Sequence, residues 1–342
     1  MDLKKLFDWY YANARELPWR KTTDPYRIWI SEIILQQTRV NQGIDYYYRF
    51  LKLFPNIEKL AAAKEEDVLK AWEGLGYYSR ARNLHYTAKD ILLNYKGSFP
   101  KDYDELLKLK GIGPYTAAAI ASFAFNRPTP AIDGNVLRVM ARFYGIDLEI
   151  NSSAGLKLFR QKARENIYGT NPALYNQAMM EFGALQCTPS PNCSHCILID
   201  KCVAFQTGKV KELPNKKKKK KPQAKFLHFF MIEKEGKFIV EKRTGKGIWE
   251  NLYQLPLLET PHKREDLSIK DLKNIRQTYG LGKIINLRKL AHTTHILSHQ
   301  KLDINFWKIE ASSINSHKIT LDEIKKYPFP IVIANFLDNY FN

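Results

Sequence analysis

Apolar residues recur every three or four positions along most of the first 185 residues, which is the spacing of amphipathic helices. Beyond residue 225 the pattern changes to short apolar runs, which are typical of strands. It therefore predicts a multi-domain protein, with an all-α domain followed by an α/β (α+β) domain. Helices are expected near residues 3–10, 25–40, 46–54, 57–72, 81–95, 136–144, 155–167, 175–185 and 269–279, and strands near residues 226–232, 238–243, 284–290 and 302–309.

A run of lysines marks the predicted boundary between the two domains. Lys216–Lys221 are consecutive lysines followed by Pro222, and such a run repels itself and cannot pack into a core. We therefore predict a first domain over residues 1–213, a lysine-rich linker over 214–224 and a second domain over 225–342.

The net charge indicates the kind of partner. Lysine and arginine number 54 against 35 aspartate and glutamate residues, a formal charge of +19, which favours a polyanion and nucleic acid ahead of membrane. No apolar run approaches the roughly 18 residues of a membrane span, and residues 1–10 form an amphipathic helix pattern without a signal sequence. We expect a soluble, intracellular, cytoplasmic protein that does not bind membranes.

A glycine pair stands at the centre of the first domain. Leu109–Tyr115 reads LKGIGPY, in which Gly111 and Gly113 favour a tight turn and Pro114 is suited to open a helix. The backbone N–H groups of such a turn can bind an anion, and in a basic protein we expect a nucleic-acid phosphate. The alternative is an ordinary turn without a ligand.

Two carboxylates are candidate catalytic groups. Asp133 stands at a glycine-marked bend, followed by Asn135, about twenty residues after the hairpin. Glu32 lies in a largely apolar helix, on the face that carries Leu35. Burial raises the pKa of a carboxyl group, and a carboxylic acid that stays protonated near neutrality suits general-acid catalysis. The alternatives for Glu32 are a buried ion pair with Arg39 or a cap on a neighbouring helix.

Aromatic and arginine residues alternate in two segments. Leu17–Arg20, which Pro18 is expected to keep extended, carries Trp19 beside Arg20. Residues 74–82 combine two glycines with tyrosines and arginines. Such mixtures suit base stacking and phosphate contact, although core packing of the tryptophan and capping by the tyrosines are equally ordinary interpretations.

All four cysteines fall between residues 187 and 202, with the spacing C-x5-C-x2-C-x5-C. Clustered thiols in a reducing compartment indicate metal binding and not disulfides. One compact loop with four thiolates favours a [4Fe–4S] cluster, and zinc is the alternative. The predicted ligands are Cys187, Cys193, Cys196 and Cys202.

Taken together, these motifs resemble the MutY-type adenine DNA glycosylases, members of the helix-hairpin-helix glycosylase superfamily with a C-terminal Nudix-like domain. The likeness is dense from about residue 9 to residue 214 and looser beyond it. The chain departs from the family pattern at two points. The first two cysteines are separated by five residues where six are usual, and Leu297 stands where phenylalanine is usual. The matching segments are LPWR (17–20), SEIILQQT (31–38), GLGYYSR (74–80), the hairpin within about 105–125, IDGN (132–135), the cysteine loop (187–202) and HILSH (295–299).

The resemblance implies a chemistry. Glu32 would protonate N7 of adenine and later help to activate water, and Asp133 would stabilise the cationic sugar or bond to it transiently, much as paired carboxylates act in glycosidases. Tyr115 and Asn135 would support them. The implied substrate-binding residues are Trp19, Arg20, Leu35 and Gln177 around a flipped adenine, Gln37 and Tyr77 as wedges in the duplex, and Thr38, Ser298 and His299 against 8-oxoguanine on the opposite strand.

The expected protein is thus a monomer that binds double-stranded DNA with A:8-oxoguanine mispairs and excises adenine. Related endonuclease III-like enzymes carry a lysine nucleophile at the position of Tyr115, so we expect little or no lyase activity. Residues 243–256 resemble the start of Nudix domains, but residues 270–277 lack the glutamates that bind magnesium there, and pyrophosphate hydrolysis is not expected. The alternatives are an endonuclease III-like lyase and a non-catalytic iron–sulfur DNA-binding protein.

Overall fold

The computed structural model describes residues 1–217 and 222–341. These residues form two compact units, one of residues 1–62 and 83–217 and the other of residues 63–82 and 222–341. The predicted linker at 214–224 is described in part, because Lys218–Lys221 lie outside the described residues. No helix in the described ranges combines the length and the apolar character needed to cross a bilayer.

Helices dominate the chain as far as residue 206, as the hydrophobic spacing predicted. Short 3-10 helices cover Pro18–Arg20, Cys193–His195 and Ile199–Lys201. The α-helices are α1 (Leu3–Asn13), α2 (Pro25–Leu35), α3 (Val40–Leu53), α4 (Ile57–Ala62), α5 (Glu65–Ala71), α6 (Ser79–Asn94), α7 (Tyr103–Lys108), α8 (Pro114–Phe125), α9 (Gly134–Tyr144), α10 (Ser153–Ile167), α11 (Pro172–Leu185) and α12 (Val203–Gln206).

Three local predictions about the helical region were wrong. The helix expected over residues 25–40 ends at Leu35, because Gln37 takes a left-handed backbone conformation (φ 62°) that an α-helix cannot contain. Leu17 is extended, as expected for a residue before proline, but Pro18–Arg20 form a 3-10 helix, with the proline at a first-turn position where its missing N–H costs little. The expected helix over 57–72 is likewise divided into α4 and α5.

The α7–α8 hairpin has the predicted form. Gly111 has a φ of 81°, and a Cβ there would lie 2.7 Å from the Asn83 Cβ, so only glycine fits. Pro114 opens α8, in which the alanines at positions 117, 118, 119 and 121 are almost fully buried, and these small side chains allow α8 to pack closely against α2. This packing brings the middle of α2 to the first turn of α8.

The C-terminal unit contains a mixed sheet with flanking helices. Its strand order is β6-β7-β1-β2-β8, with β5 also paired to β1, and β3 and β4 form a separate two-stranded ribbon. Strands β1 and β7 are parallel and the other pairs are antiparallel. The elements are β1 (Gln223–Lys234), β2 (Lys237–Phe238), β3 (Glu241–Lys242), β4 (Tyr253–Gln254), β5 (Leu257–Thr260), α13 (Ile269–Thr278), β6 (Ile284–Ile296), β7 (Gln300–Ala311), β8 (Ile319–Thr320), α14 (Leu321–Ile324) and α15 (Ile331–Phe341).

The strand expected over residues 238–243 is two short strands, β2 and β3. On α13, where the resemblance to Nudix domains would require glutamates, the acidic side chain is Asp271. Its carboxylate caps α13 by accepting hydrogen bonds from the Ser268 backbone N–H (2.9 Å) and hydroxyl (2.7 Å), and it pairs with Arg264 (2.6 Å). The carboxylate therefore has a structural role in the helix start.

Residues 63–82 belong to the C-terminal unit although they precede it by about 140 positions in the chain. On α5, Glu66 accepts hydrogen bonds from the Lys242 Nζ (2.9 Å) and the Tyr253 hydroxyl (3.0 Å). Nearby, Glu73 accepts a hydrogen bond from the Phe329 backbone N–H at 3.1 Å. The unit is thus built from two separate chain segments, which no local sequence pattern indicates.

Candidate active site

A cavity of about 610 Å³ opens in the helical unit, where α2, the start of α8 and the Asp133 bend meet. Its volume lies in the range of small-molecule sites. The cavity brings together predicted site residues from distant parts of the sequence. These are Trp19, Arg20, Glu32, Leu35, Gln37, Thr38, Tyr115, Asp133, Asn135 and Gln177.

Glu32 is a buried acid on the cavity wall, with 5% of its surface exposed. Burial, reinforced by the negative charge of Asp133, raises its pKa to about 7, although a hydrogen bond with the Tyr115 hydroxyl and the charge of Arg20 act in the opposite direction. Arg39 forms no ion pair with this carboxylate among the described residues. The group can therefore hold and release a proton near neutral pH.

Asp133 is the N-cap of α9, and its carboxylate is held at both oxygens. Oδ1 accepts hydrogen bonds from the backbone N–H groups of Asn135 (2.9 Å) and Val136 (2.7 Å), and Oδ2 accepts one from the Asn135 side-chain amide (2.8 Å). Burial raises its pKa, while these hydrogen bonds lower it. The helix N-terminus also favours the anion, so the carboxylate is fixed on the wall of the cavity that Glu32 also lines.

Sequence reasoning missed the residues that position Asp133. Arg138 on α9 donates from Nη2 to the Asn135 Oδ1 (2.9 Å) and to the Gly183 carbonyl (2.6 Å), which orients the amide against Asp133. The buried Asn176 accepts from the Ala131 N–H at 2.9 Å and donates to the Thr129 carbonyl at 2.9 Å. It therefore anchors the segment that leads into the Asp133 bend.

Trp19 and Arg20 enter the cavity wall from the 3-10 helix. Trp19 is 8% exposed and packs edge-on against Tyr47 at 5.5 Å between ring centroids, so it serves the core and the cavity at once. Arg20 donates to Glu181 at 2.7 Å. On α11, Gln177 accepts a hydrogen bond from the Tyr10 hydroxyl at 2.7 Å, which leaves its amide nitrogen available to a ligand.

The hairpin glycines do not line this cavity. Gly113 is the N-cap of α8 and offers no side-chain cap, so the first N–H groups of α8 keep the capacity to bind an anion. Phosphate binding at this hairpin stays a prediction. Gly113 is exposed, and a Cβ built there would meet nothing within 4 Å.

Tyr77, Ser298 and His299 lie in the C-terminal unit and not on the cavity. The side-chain hydroxyls of Tyr77 and Ser298 are hydrogen bonded to each other. Ser298 and His299 are exposed in the turn between β6 and β7. Tyr77 takes a left-handed conformation (φ 47°), as Gln37 does in the helical unit.

The four cysteines share one loop that packs against the helical core. Burial, reinforced by the negative charges of the other three cysteines, raises the pKa of Cys196 to about 11, so the four side chains are close enough to interact. Arg142 fastens the loop by donating to the Thr188 carbonyl at 2.6 Å and by approaching the Cys187 Sγ at 3.5 Å. In the described residues, no group of three or more His, Cys, Asp or Glu side chains is arranged to hold a metal ion.

Comparisons with known proteins agree with this architecture. Residues 30–164 match the family model for HhH-GPD superfamily base excision DNA repair proteins, and residues 228–339 match the model for NUDIX domains. A solved thermostable thymine-DNA glycosylase is similar, with a TM-score of 0.56 and 27% identity over 60% of this chain and 95% of that one. The fold and the acid-lined cavity thus define a glycosylase of the helix-hairpin-helix class joined to a Nudix-like unit, and the predicted fold class is confirmed.

Curated relatives show to which family of glycosylases the chain belongs. Adenine DNA glycosylase of Buchnera aphidicola subsp. Schizaphis graminum is 38% identical over 87% of this chain and 84% of that protein. Adenine DNA glycosylase of Buchnera aphidicola subsp. Baizongia pistaciae is 39% identical over 88% of this chain and 83% of that protein. The chain belongs to the adenine DNA glycosylase family and is an enzyme that hydrolyses N-glycosyl bonds.

Proposed function

We propose that this enzyme acts in base-excision repair and removes adenine paired with 8-oxoguanine from double-stranded DNA, with adenine paired with guanine as a second candidate substrate. The observation that carries the proposal is the pairing of Glu32 with Asp133 across one cavity, with Tyr115 hydrogen bonded to the first. Both carboxylates are anchored, one is protonated near neutrality, and the space between them can take a base. The chain's relatives are named for removing adenine from DNA.

Glu32 acts first as the general acid. It transfers its proton to N7 of adenine, so the bond between N9 and C1′ breaks with adenine leaving as a neutral base. Asp133 stabilises the cationic sugar that remains, or bonds to C1′ transiently. The ionised Glu32 then accepts a proton from water as the water oxygen bonds to C1′, which restores the acid.

The adenine reaches this site by rotating out of the duplex. Trp19 supplies an aromatic wall, and Arg20 and Gln177 supply N–H donors for the ring nitrogens. Leu35 closes the apolar side. These groups lie on one cavity, which supports their assignment to a single flipped base.

Gln37 and Tyr77 are proposed to fill the gap that the flipped base leaves. Both have left-handed backbone conformations, which are uncommon for residues other than glycine and occur frequently at ligand-binding positions.

Thr38, Ser298 and His299 are proposed to read 8-oxoguanine on the opposite strand, and Gly111 and Gly113 are proposed to bind a phosphate. The exposed position of the β6–β7 turn supports the assignment of Ser298 and His299.

The enzyme is proposed to hydrolyse the N-glycosyl bond without cutting the strand. A lyase needs an amine that forms a Schiff base with C1′, and none of the described residues that line the cavity is a lysine. The Tyr115 hydroxyl occupies the hairpin position instead and cannot form that intermediate.

The cysteine loop is proposed to hold a [4Fe–4S] cluster, a cofactor that this family generally binds. Cys187, Cys193, Cys196 and Cys202 would be the ligands, and four thiolates on one compact loop are the donor set that such a cluster requires. When bound, the cluster would cross-link the four cysteine positions and so fix the conformation of the loop. Arg142 would then neutralise part of its negative charge.

A mispair panel tests the proposal. Single-turnover assays should show base release from A:8-oxoguanine faster than from A:C or from oxidised pyrimidines, and strand cuts should require added alkali. Glu32→Gln and Asp133→Asn should each lose most of the rate, whereas Glu165→Gln, at an exposed carboxylate on α10, should keep it. Full activity in either site variant would overturn the assignment of the acid pair.

A further inference from the structure

A second buried glutamate lies on the same cavity and has no part in the chemistry proposed above. Glu181 on α11 is 1% exposed. Its carboxylate accepts hydrogen bonds from the Arg15 backbone N–H (2.9 Å), the Arg15 Nε (2.8 Å) and the Arg15 Nη2 (2.6 Å). It also accepts one from the Arg20 Nη2 at 2.7 Å. One carboxylate therefore binds two guanidinium groups.

Arg20 is held at both terminal nitrogens. Its Nη2 donates to Glu181, and its Nη1 donates to the Arg15 carbonyl at 3.0 Å. Its guanidinium carbon lies 5.7 Å from the centre of the Tyr10 ring. These contacts use two of five N–H donors, and the others remain for an acceptor in the cavity that Arg20 lines. The guanidinium is thus fixed before a substrate arrives.

The Glu181 carboxylate differs from that of Glu32 in its pKa. Burial alone would raise the pKa of Glu181, but hydrogen bonds from Arg15 and Arg20 hold it at about 2. The carboxylate is therefore ionised at every pH at which the enzyme would work. Its charge offsets one of the two arginines in the wall, of which Arg20 is the one whose charge lowers the pKa of Glu32.

We infer that Glu181 is a positioning residue, which fixes Arg20 in the wall of the base-binding cavity, with Arg15 as the second arm of the anchor. The inference rests on the proposed function, because it assigns Arg20 to the flipped base. An ion pair with a purely structural role would tie α11 to residues 15–20, and its loss would reduce stability without a specific effect on base release.

Glu181→Gln separates the two roles, because glutamine keeps the size and an acceptor but removes the charge. We expect the single-turnover rate of adenine release to fall roughly 10- to 100-fold, since displacing a positioning group by about 1 Å can cost about 100-fold. Affinity for the same duplex should change less than about threefold. Glu165→Gln is the matched control and should leave both values unchanged.

The pH profile gives a second readout. The ionisable and charged groups that face Glu32 are Tyr115 from α8, Asp133 before α9 and Arg20 from the 3-10 helix. Removing the negative charge of Glu181 leaves the arginines uncompensated, so the alkaline limb of the rate profile should move to lower pH. Glu181→Asp keeps the charge and should restore the limb even if the rate stays low.

A double-mutant cycle with Arg20→Lys keeps the inference testable if Glu181→Gln folds poorly, because Glu181→Asp can replace it in the cycle. If Glu181 acts through Arg20, the double variant should be little slower than Arg20→Lys alone. Fully additive losses, or a folded Glu181→Gln enzyme with unchanged rate and unchanged pH profile, would overturn the inference. A wild-type enzyme that releases no adenine would overturn the proposed function instead.

Discussion

Replacing Glu32 by glutamine should inactivate the enzyme and stabilise it above neutral pH. Burial raises the pKa of Glu32 from 4.5 to about 7. At about 1.36 kcal/mol per pH unit of pKa, this corresponds to about 3 kcal/mol. That free energy is the cost of ionising the carboxyl inside the folded protein, and glutamine cannot ionise.

The raised pKa of Glu32 determines how the stability of the wild type changes with pH. Below about pH 4.5 the carboxyl is protonated in both the folded and the unfolded chain, so its ionisation costs nothing. Between pH 4.5 and about 7 the unfolded chain loses the proton first, and the wild type loses stability. Above pH 7 the full cost of about 3 kcal/mol applies. The stability gain of Glu32→Gln should therefore be small at pH 4.5 and largest at pH 8.

Thermal unfolding followed by circular dichroism at both pH values measures this difference. For a unit of this size, about 1 kcal/mol corresponds to roughly 2–4 °C, so at pH 8 the variant should unfold up to roughly 6–12 °C higher than the wild type. Removal of the general acid should slow base release by roughly 100- to 10,000-fold. Equal midpoints at pH 8, or a less stable variant, would refute the burial argument.

Three further variants test other parts of the account. Gly111→Ala places a Cβ 2.7 Å from the Asn83 Cβ at a φ of 81° and should weaken duplex binding at least about tenfold in fluorescence anisotropy, and unchanged affinity would contradict the phosphate assignment. Cys196→Ser should lower iron content and visible absorbance, and unchanged iron would contradict the ligand assignment. Tyr115→Lys should become trappable on abasic DNA by borohydride, and failure would show that a lysine there does not reach C1′.

The sequence predicted most of what local patterns can encode. Hydrophobic spacing located the helices, and the glycine pair located the hairpin. The end of α2 was missed because the left-handed Gln37 depends on tertiary packing. The short strands β4 and β8 were missed because two residues carry no periodicity.

Glu181 shows why the site itself was only partly predictable. The signal that identified Glu32, a carboxylate in an apolar helix, is equally present in α11. The two differ in partners that lie far apart in the sequence, since Arg15 precedes Glu181 by 166 positions. Their pKa values, about 7 and about 2, therefore diverge on one cavity wall, a difference that typically separates an acid from a fixed anion.

Arg138 and Asn176 were missed for the same reason. Each lies in a helix where a polar residue could equally face solvent, and each instead satisfies backbone groups more than 40 positions away. Such long-range hydrogen bonds require the packed structure, and no spacing rule identifies them.

Product analysis tests the central claim most directly. A duplex with one A:8-oxoguanine pair is incubated with excess enzyme, and free adenine is quantified by chromatography while the strand is examined before and after hot alkali. We predict that one adenine is released per duplex, that the strand is intact before alkali, and that it is cut at that site afterwards. No free adenine, or a cut strand without alkali, would contradict it.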